Sequence, residues 1–227
     1  MPYTTQESEQ SVVLEPASTA DAAVIWLHGL GADGYDFVPI VDELRLPPTL
    51  AVRFIFPHAR PRPVTINNGF VMRAWYDITG LGPDRKEDGE GIRESAGAVN
   101  GYIEQQNARG IATGRIVLAG FSQGGAIALQ AALRYPKRLG GVMALSTYLP
   151  LNDTVAAEAA PANKDVPILM CHGLRDPMIA ATIGKASRDL LIGLGYKVEW
   201  QSYPMEHQVC MEEVVDISKW LQARLSH

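Results

Sequence analysis

Ser122 stands in Gly120-Phe121-Ser122-Gln123-Gly124, a G-x-S-x-G pentapeptide, and Asp176 and His207 follow it in the chain. A serine hydroxyl attacks a carbonyl carbon only once a base removes its proton, and an imidazole does this best when a carboxylate fixes its tautomer. Nucleophile, acid and base follow one another in the chain order used where the serine sits on a strand-to-helix elbow. The pentapeptide alone is a common pattern, so the elements around it must carry the inference.

Those elements fit. Arg115 to Ala119 reads as a buried strand and Ala126 to Leu133 as a helix, which leaves Ser122 on the sharp turn between them. There the serine takes a strained backbone position, and Gly120 and Gly124 remove Cβ atoms that would collide where strand and helix nearly touch. Ala23 to Leu27, Val52 to Phe56, Gly141 to Leu145 and Val166 to Met170 are short apolar runs of the kind buried on both faces of a parallel sheet. Val12 to Leu14 reads as a short edge strand and Lys197 to Ser202 as a half-exposed one. Helical spacing covers Asp36 to Leu44, Ile92 to Gln106, Ala180 to Leu194 and Glu212 to Leu225. The alternation predicts one α/β domain over residues 1–227, with a mostly parallel sheet and helices on both faces.

Two segments break the rhythm. Leu149 to Asp165 is a loop, and Pro57 to Gly91 is a long excursion whose embedded Phe70, Met72, Trp75 and Tyr76 argue for order near the site.

In a parallel sheet the carboxyl ends of the strands share one edge, and loops at that edge build the site. Asp176 follows the run ending at Met170, and His207 follows the run ending at Ser202, so both reach the edge of Ser122. The competing role for Asp176 is to cap the helix after it, a position that Asp also favours. Of the other histidines, His227 is the last residue and His58 lies among prolines without an acid nearby. His28 and His172 each precede a glycine at a strand end and are expected to shape those turns by hydrogen bonding.

Attack on a carbonyl creates an oxyanion that needs two N–H donors in place. Gln123 supplies one by its backbone, its side chain being expected to matter little. The other comes from the loop His28 to Gly34, with Leu30 as the donor expected and Gly29 or Gly31 one position away.

A net charge of −5 gives no reason to expect nucleic acid or an anionic membrane surface as partner. Met1 to Glu15 lacks a basic region followed by an apolar one, and no apolar run is long enough to span a bilayer. A cytoplasmic protein without integral membrane association is the expectation. Cys171 and Cys210 read as buried, reduced thiols, and neither a dinucleotide or phosphate-loop motif nor metal-ligand spacing is present, so no cofactor and no metal are expected.

Together His28-Gly29-Leu30-Gly31-Ala32-Asp33-Gly34, Thr65-Ile66-Asn67, Ala74-Trp75-Tyr76-Asp77-Ile78, Gly120 to Gly125, Ala144-Leu145-Ser146-Thr147-Tyr148 and Tyr203-Pro204-Met205-Glu206-His207 resemble the carboxylesterase and acyl-protein thioesterase (lysophospholipase-like) family of α/β-hydrolases, and most of all its bacterial carboxylesterases. The likeness runs from about Ala22 to the C-terminus. It implies an α/β-hydrolase fold without a large cap domain, acting on carboxylic esters and often thioesters of modest chain length, frequently as a homodimer. The family's nucleophile, acid and base fall on Ser122, Asp176 and His207, and its oxyanion donors on Leu30 and Gln123. The main expectation is a serine carboxylesterase for short- to medium-chain esters; an acyl-protein thioesterase or lysophospholipase is the alternative. Substrates would be small or lipid esters or an acylated protein. Glu206 departs from the pattern, since relatives usually carry glycine before the histidine.

For the acyl pocket, Phe70, Met72 and Trp75 with Met178 and Ile179 are the expected apolar lining, core packing being the competing role. A noncatalytic binding protein of this fold would be expected to have lost a member of the serine set. Hydrolysis and acyl transfer to another acceptor share their first half-reaction.

Overall fold

The computed structural model describes residues 3–80 and 87–226. An eight-stranded sheet holds, in chain order, β1 (Tyr3–Glu7), β2 (Ser11–Pro16), β3 (Ala22–Leu27), β4 (Val52–Pro57), β7 (Ile116–Phe121), β8 (Gly141–Leu145), β9 (Ile168–Gly173) and β10 (Val198–Tyr203). A separate hairpin pairs β5 (Pro61–Val64) with β6 (Phe70–Arg73). The helices are α1 (Ile40–Glu43), α2 (Gly89–Ala108), α3 (Gln123–Arg134), α4 (Val155–Glu158), α5 (Ala181–Gly193) and α6 (Met211–Leu225).

The strands lie in the order β1-β2-β4-β3-β7-β8-β9-β10, antiparallel at β1, β2 and β4 and parallel from β4 onward. This is the α/β-hydrolase arrangement, a mostly parallel sheet with helices on both faces. Alternate residues of β3 explain its unbroken apolar run. Ala23, Ile25 and Leu27 enter the core beneath α2, α3 and α5, while Ala22, Val24 and Trp26 enter the core beneath α1 and α6. Fully burying one side chain such as Ile25 stabilises the fold by about 2 kcal/mol.

Several boundaries differ from expectation. Residues 12–14 do not form the edge, because β1 pairs outside β2. Its sequence, Tyr-Thr-Thr-Gln-Glu, is polar and mostly exposed, so no hydrophobic alternation announces it. Only Ile40–Glu43 of the stretch from Asp36 to Leu44 is helical; turns precede it, and Pro39 at its cap supplies no N–H. The long excursion folds into the β5–β6 hairpin, turned by Asn68 (φ 55°) and Gly69 (φ 75°). Its residues 81–86, and His227, lie outside the described residues. The second loop contains α4 and two single 3₁₀ turns. Cys210 is half-buried rather than buried, and Cys171 is buried. No helix among the described residues is long and apolar enough to cross a membrane.

Candidate active site

Ser122 joins β7 to α3 with φ 55° and ψ −121°, a conformation costing a non-glycine residue about 1–3 kcal/mol. Two bonds hold it there: its N–H donates to Leu145 O at 2.8 Å, and Thr147 Oγ1 donates to its carbonyl at 2.6 Å. A Cβ at Gly120 would overlap the Gly124 carbonyl, and one at Gly124 would lie 2.5 Å from the carbonyl oxygens of Leu27 and His28. The elbow and the loop after β3 thus pack backbone to backbone, which is why both positions are glycine.

The loops after β9 and β10 bring Asp176 and His207 to this point. His207 Nε2 lies 2.9 Å from Ser122 Oγ, and His207 Nδ1 lies 2.7 Å from Asp176 Oδ2. A carboxylate only accepts, so Nδ1–H donates to it and Nε2 is left to take the serine proton. The imidazole also packs on the Phe121 ring, 4.7 Å between centroids.

Because α5 starts at Ala181, with Ala180 at its cap, Asp176 does not cap that helix as expected; it holds the turn before it and faces His207. It is buried, and its Oδ1 accepts the N–H groups of Met178 and Ile179, each at 2.8 Å, while Oδ2 faces His207. His172 braces the same turn: its Nε2–H donates to Ile179 O at 2.8 Å and lies 3.6 Å from Asp176 Oδ2. Burial lowers the His172 pKa, so the ring faces the carboxylate as a neutral dipole.

His28 shapes the loop after β3. Nδ1–H donates to Gly29 O at 2.7 Å, and Nε2 accepts the Ala59 N–H at 3.0 Å. Accepting requires a neutral ring, and burial takes its pKa down to about 4. His58 Nδ1 in turn accepts the Gly34 N–H at 3.0 Å. Gly31 donates its N–H to Arg73 O at 2.9 Å, which removes it as an oxyanion donor. Neither Leu30 nor Gln123 donates its N–H to another backbone group among the described residues. Both line the cavity that contains Ser122 and His207.

That cavity has a volume of about 340 Å³ and is walled by Tyr76, Ile78, Tyr148, Met178 and Ile179. Met178 and Ile179 lie where the sequence puts them. Phe70, Met72 and Trp75 do not line it. Phe70 is 69% exposed on the hairpin, and Met72 Sδ accepts a hydrogen bond from Asn67. Trp75 is buried with its indole N–H on His28 O at 2.9 Å, facing a separate cavity behind the loop. The chain bends at Trp75 and Tyr76, and beyond the bend Tyr76 and Ile78 line the site while Trp75 lines the other cavity. No signal within Ala74 to Ile78 marks that division, because the bend breaks the alternation a strand would show. Tyr148, hydrogen-bonded to Tyr76 through their hydroxyls at 2.7 Å, carried none.

The Gln123 side chain is a further correction. It is buried, with Oε1 accepting the Trp75 N–H at 2.8 Å and Nε2 donating to Tyr76 O at 2.7 Å. No group of three or more His, Cys, Asp or Glu among the described residues is placed to hold a metal ion.

The profile of the Phospholipase/Carboxylesterase family matches residues 8–225. Acyl-protein thioesterase 1 of Gibberella zeae is 41% identical over 223 residues, covering 94% of this chain and 95% of that protein. The crystal structure of Zea mays acyl-protein thioesterase 2 superposes with a TM-score of 0.86 at 32% identity, over 95% of this chain and 99% of that one. The likeness to bacterial carboxylesterases in particular is not upheld. The Bacillus cereus carboxylesterase superposes with a TM-score of 0.76 over 96% of this chain and 95% of that one, but at 17% identity it speaks for the fold alone.

Proposed function

The chain belongs to the Phospholipase/Carboxylesterase family of α/β-hydrolases, and from that membership we propose that it is a serine thioesterase, cleaving acyl thioesters of lipid-modified proteins and, as a second class, carboxylic esters. The observation that carries the reading is the hydrogen-bonded line Ser122–His207–Asp176 at the mouth of a largely apolar cavity. Relatives named acyl-protein thioesterase favour the thioester over the ester as principal substrate. We take residues 1–227 as one catalytic domain.

On this reading Ser122 Oγ attacks the carbonyl carbon as its proton passes to His207 Nε2. The oxygen becomes an oxyanion facing the Leu30 and Gln123 N–H groups; losing one such donor would cost about 3 kcal/mol of transition-state stabilisation. The C–S or C–O bond then breaks, and the proton on Nε2 goes to the leaving sulfur or oxygen. Water next gives a proton to His207 and attacks the Ser122 ester, Oγ takes that proton back, and the carboxylic acid departs. Asp176 holds the imidazolium formed twice along this path without taking its proton. The acyl chain lies against Tyr76, Ile78, Met178 and Ile179.

A fluorophosphonate should label Ser122, and cleavage of an S-acyl thioester and of p-nitrophenyl butyrate should both vanish in Ser122→Ala. Normal cleavage by folded Ser122→Ala would sink the serine mechanism. A kcat/KM higher for oxygen esters than for thioesters of the same acyl chain would make this a carboxylesterase first.

A further inference from the structure

A second cavity, of about 650 Å³, adjoins the first. Asp36, Phe121 and His207 line both. Ser122, Leu30 and Gln123 line only the first; the second runs on between Phe37, Ile40 and Glu43 on one side and Val209, Cys210 and Val214 on the other. The division has a chemical meaning. The carbonyl carbon must sit beside Ser122 and the oxyanion donors, while the leaving atom must sit where His207 can protonate it. A substrate with its acyl chain in the first cavity therefore directs its leaving half past His207 into the second.

The junction carries a definite charge. Asp36 stands exposed at the shared rim, Glu43 lies farther along the groove, and among the described residues no lysine or arginine lines either cavity. Glu43 has a distant cationic neighbour, Arg45 at 4.0 Å, but Asp36 makes no ion pair among the described residues. Flanking protein atoms and the nearby Asp33 raise the Asp36 pKa, which marks a carboxylate whose charge is under-compensated. A cation next to it would relieve that strain, and the groove walls of Phe37, Ile40, Val209 and Val214 would take the methylenes or methyl groups around the cation.

We propose that the groove between residues 36–43 and 207–214 is the leaving-group subsite and that Asp36 gives it a preference for a thiol or alcohol leaving group bearing a positive charge. This rests on the serine-hydrolase reading of Ser122 and His207. It adds to that reading which half of the substrate goes where, and what chemistry the departing half carries.

The test compares substrates that differ in one charge. Butyrylthiocholine is paired with S-(3,3-dimethylbutyl) thiobutyrate, its neutral carbon isostere, and an S-butyryl cysteine peptide flanked by lysines is paired with the same peptide flanked by norleucines. At low salt the wild type should favour the cationic member of at least one pair by about fivefold in kcat/KM, the size expected of an exposed ion pair. That ratio should fall towards one in Asp36→Asn, and in the wild type at about 0.5 M salt, where screening is strong. A preference in the choline pair alone identifies a quaternary ammonium alcohol as the source, and one in the peptide pair a basic peptide. A ratio near one in both pairs for the wild type at low salt, or a ratio that survives both Asp36→Asn and high salt, overturns the proposal. Fluorophosphonate labelling separates this from failure of the underlying reading: an enzyme that labels but shows no charge preference has lost only the subsite, and a folded wild type that neither labels nor cleaves has lost the serine mechanism as well.

Discussion

Gln123 Oε1 accepts the Trp75 N–H at 2.8 Å, and the same amide donates from Nε2 to the neighbouring Tyr76 carbonyl at 2.7 Å, so the residue after the nucleophile grips the wall of the acyl cavity. Its backbone N–H, proposed as an oxyanion donor, and its side chain thus face two different tasks, the second toward the excursion between β4 and α2.

Gln123→Ala is therefore expected to be costly, although its backbone is unchanged. It strands a buried donor at Trp75 and a buried acceptor at Tyr76, each worth about 1–3 kcal/mol when left unpaired. Thermal denaturation should show a fall of roughly 4–24 °C for a chain of this size. Release of Tyr76 and Ile78 should lower kcat/KM for p-nitrophenyl octanoate more than for the acetate. Wild-type stability together with wild-type chain-length dependence would show that the clasp does not position the wall.

The acyl cavity should respond at Ile179 and not at Phe70. Ile179 lines the cavity beside Met178, and Phe70 projects from the hairpin into solvent. Ile179→Trp would fill the space that longer chains need, and the optimum in a series of p-nitrophenyl esters should move to shorter acyl groups with a loss of about tenfold at octanoyl. Phe70→Ala should leave soluble substrates within about twofold. A shift caused by Phe70→Ala and none by Ile179→Trp would reverse the assignment of the lining.

What the sequence disclosed and what it hid divide on physical grounds. The β3 run was legible because both faces of that strand are buried, and Asp176 and His207 because strand ends in a parallel sheet share an edge. Strand β1 was hidden, its polar residues taking order from pairing with β2 and not from burial. The Gln123 clasp was hidden as well, since its partners lie 47 and 48 residues away and a glutamine has no local mark of such a contact. Trp75 was expected in the acyl pocket, yet its indole is anchored on His28 O, and beyond the bend at Trp75 and Tyr76 the smaller Ile78 lines the site.

Glu213 predicts how stability depends on pH. It is wholly buried in α6, and neither carboxyl oxygen makes a hydrogen bond of good geometry. Burial raises its pKa from 4.5 to about 8, helped by Asp216 and opposed by the Cys171 thiol and the Cys210 backbone. A group whose folded pKa lies above its unfolded one contributes stability at acid pH, and that contribution is lost as pH rises from 4.5 to about 8. Glu213→Gln removes the titration. The Tm of the wild type minus that of Glu213→Gln should therefore fall by several degrees across this window, on the order of a few kcal/mol. Taking the difference cancels carboxylates such as Glu15, whose pKa Arg53 holds low and whose contribution is lost in the opposite direction, towards acid. A flat difference would mean that Glu213 is ionised in place or solvated.

Asp176 ties the base to the cavity wall, which makes Asp176→Asn and Asp176→Ala different experiments. Oδ1 accepts from Met178 and Ile179, and Oδ2 accepts from His207 Nδ1. An asparagine can keep its oxygen on only one side. With two N–H groups demanding an acceptor at the turn, its amide nitrogen is driven to face His207, and the imidazole must flip to the tautomer whose Nδ1 accepts. Nε2 then carries the proton and cannot take one from Ser122, so kcat should fall by about 10⁴-fold with Tm within a few degrees of wild type. Alanine leaves the N–H groups of Met178 and Ile179 without their acceptor as well, and should lower Tm in addition to kcat. An Asp176→Asn enzyme that keeps a tenth of wild-type kcat would show that Ser122 is activated without this carboxylate, and would reduce Asp176 to holding the turn at Met178 and Ile179.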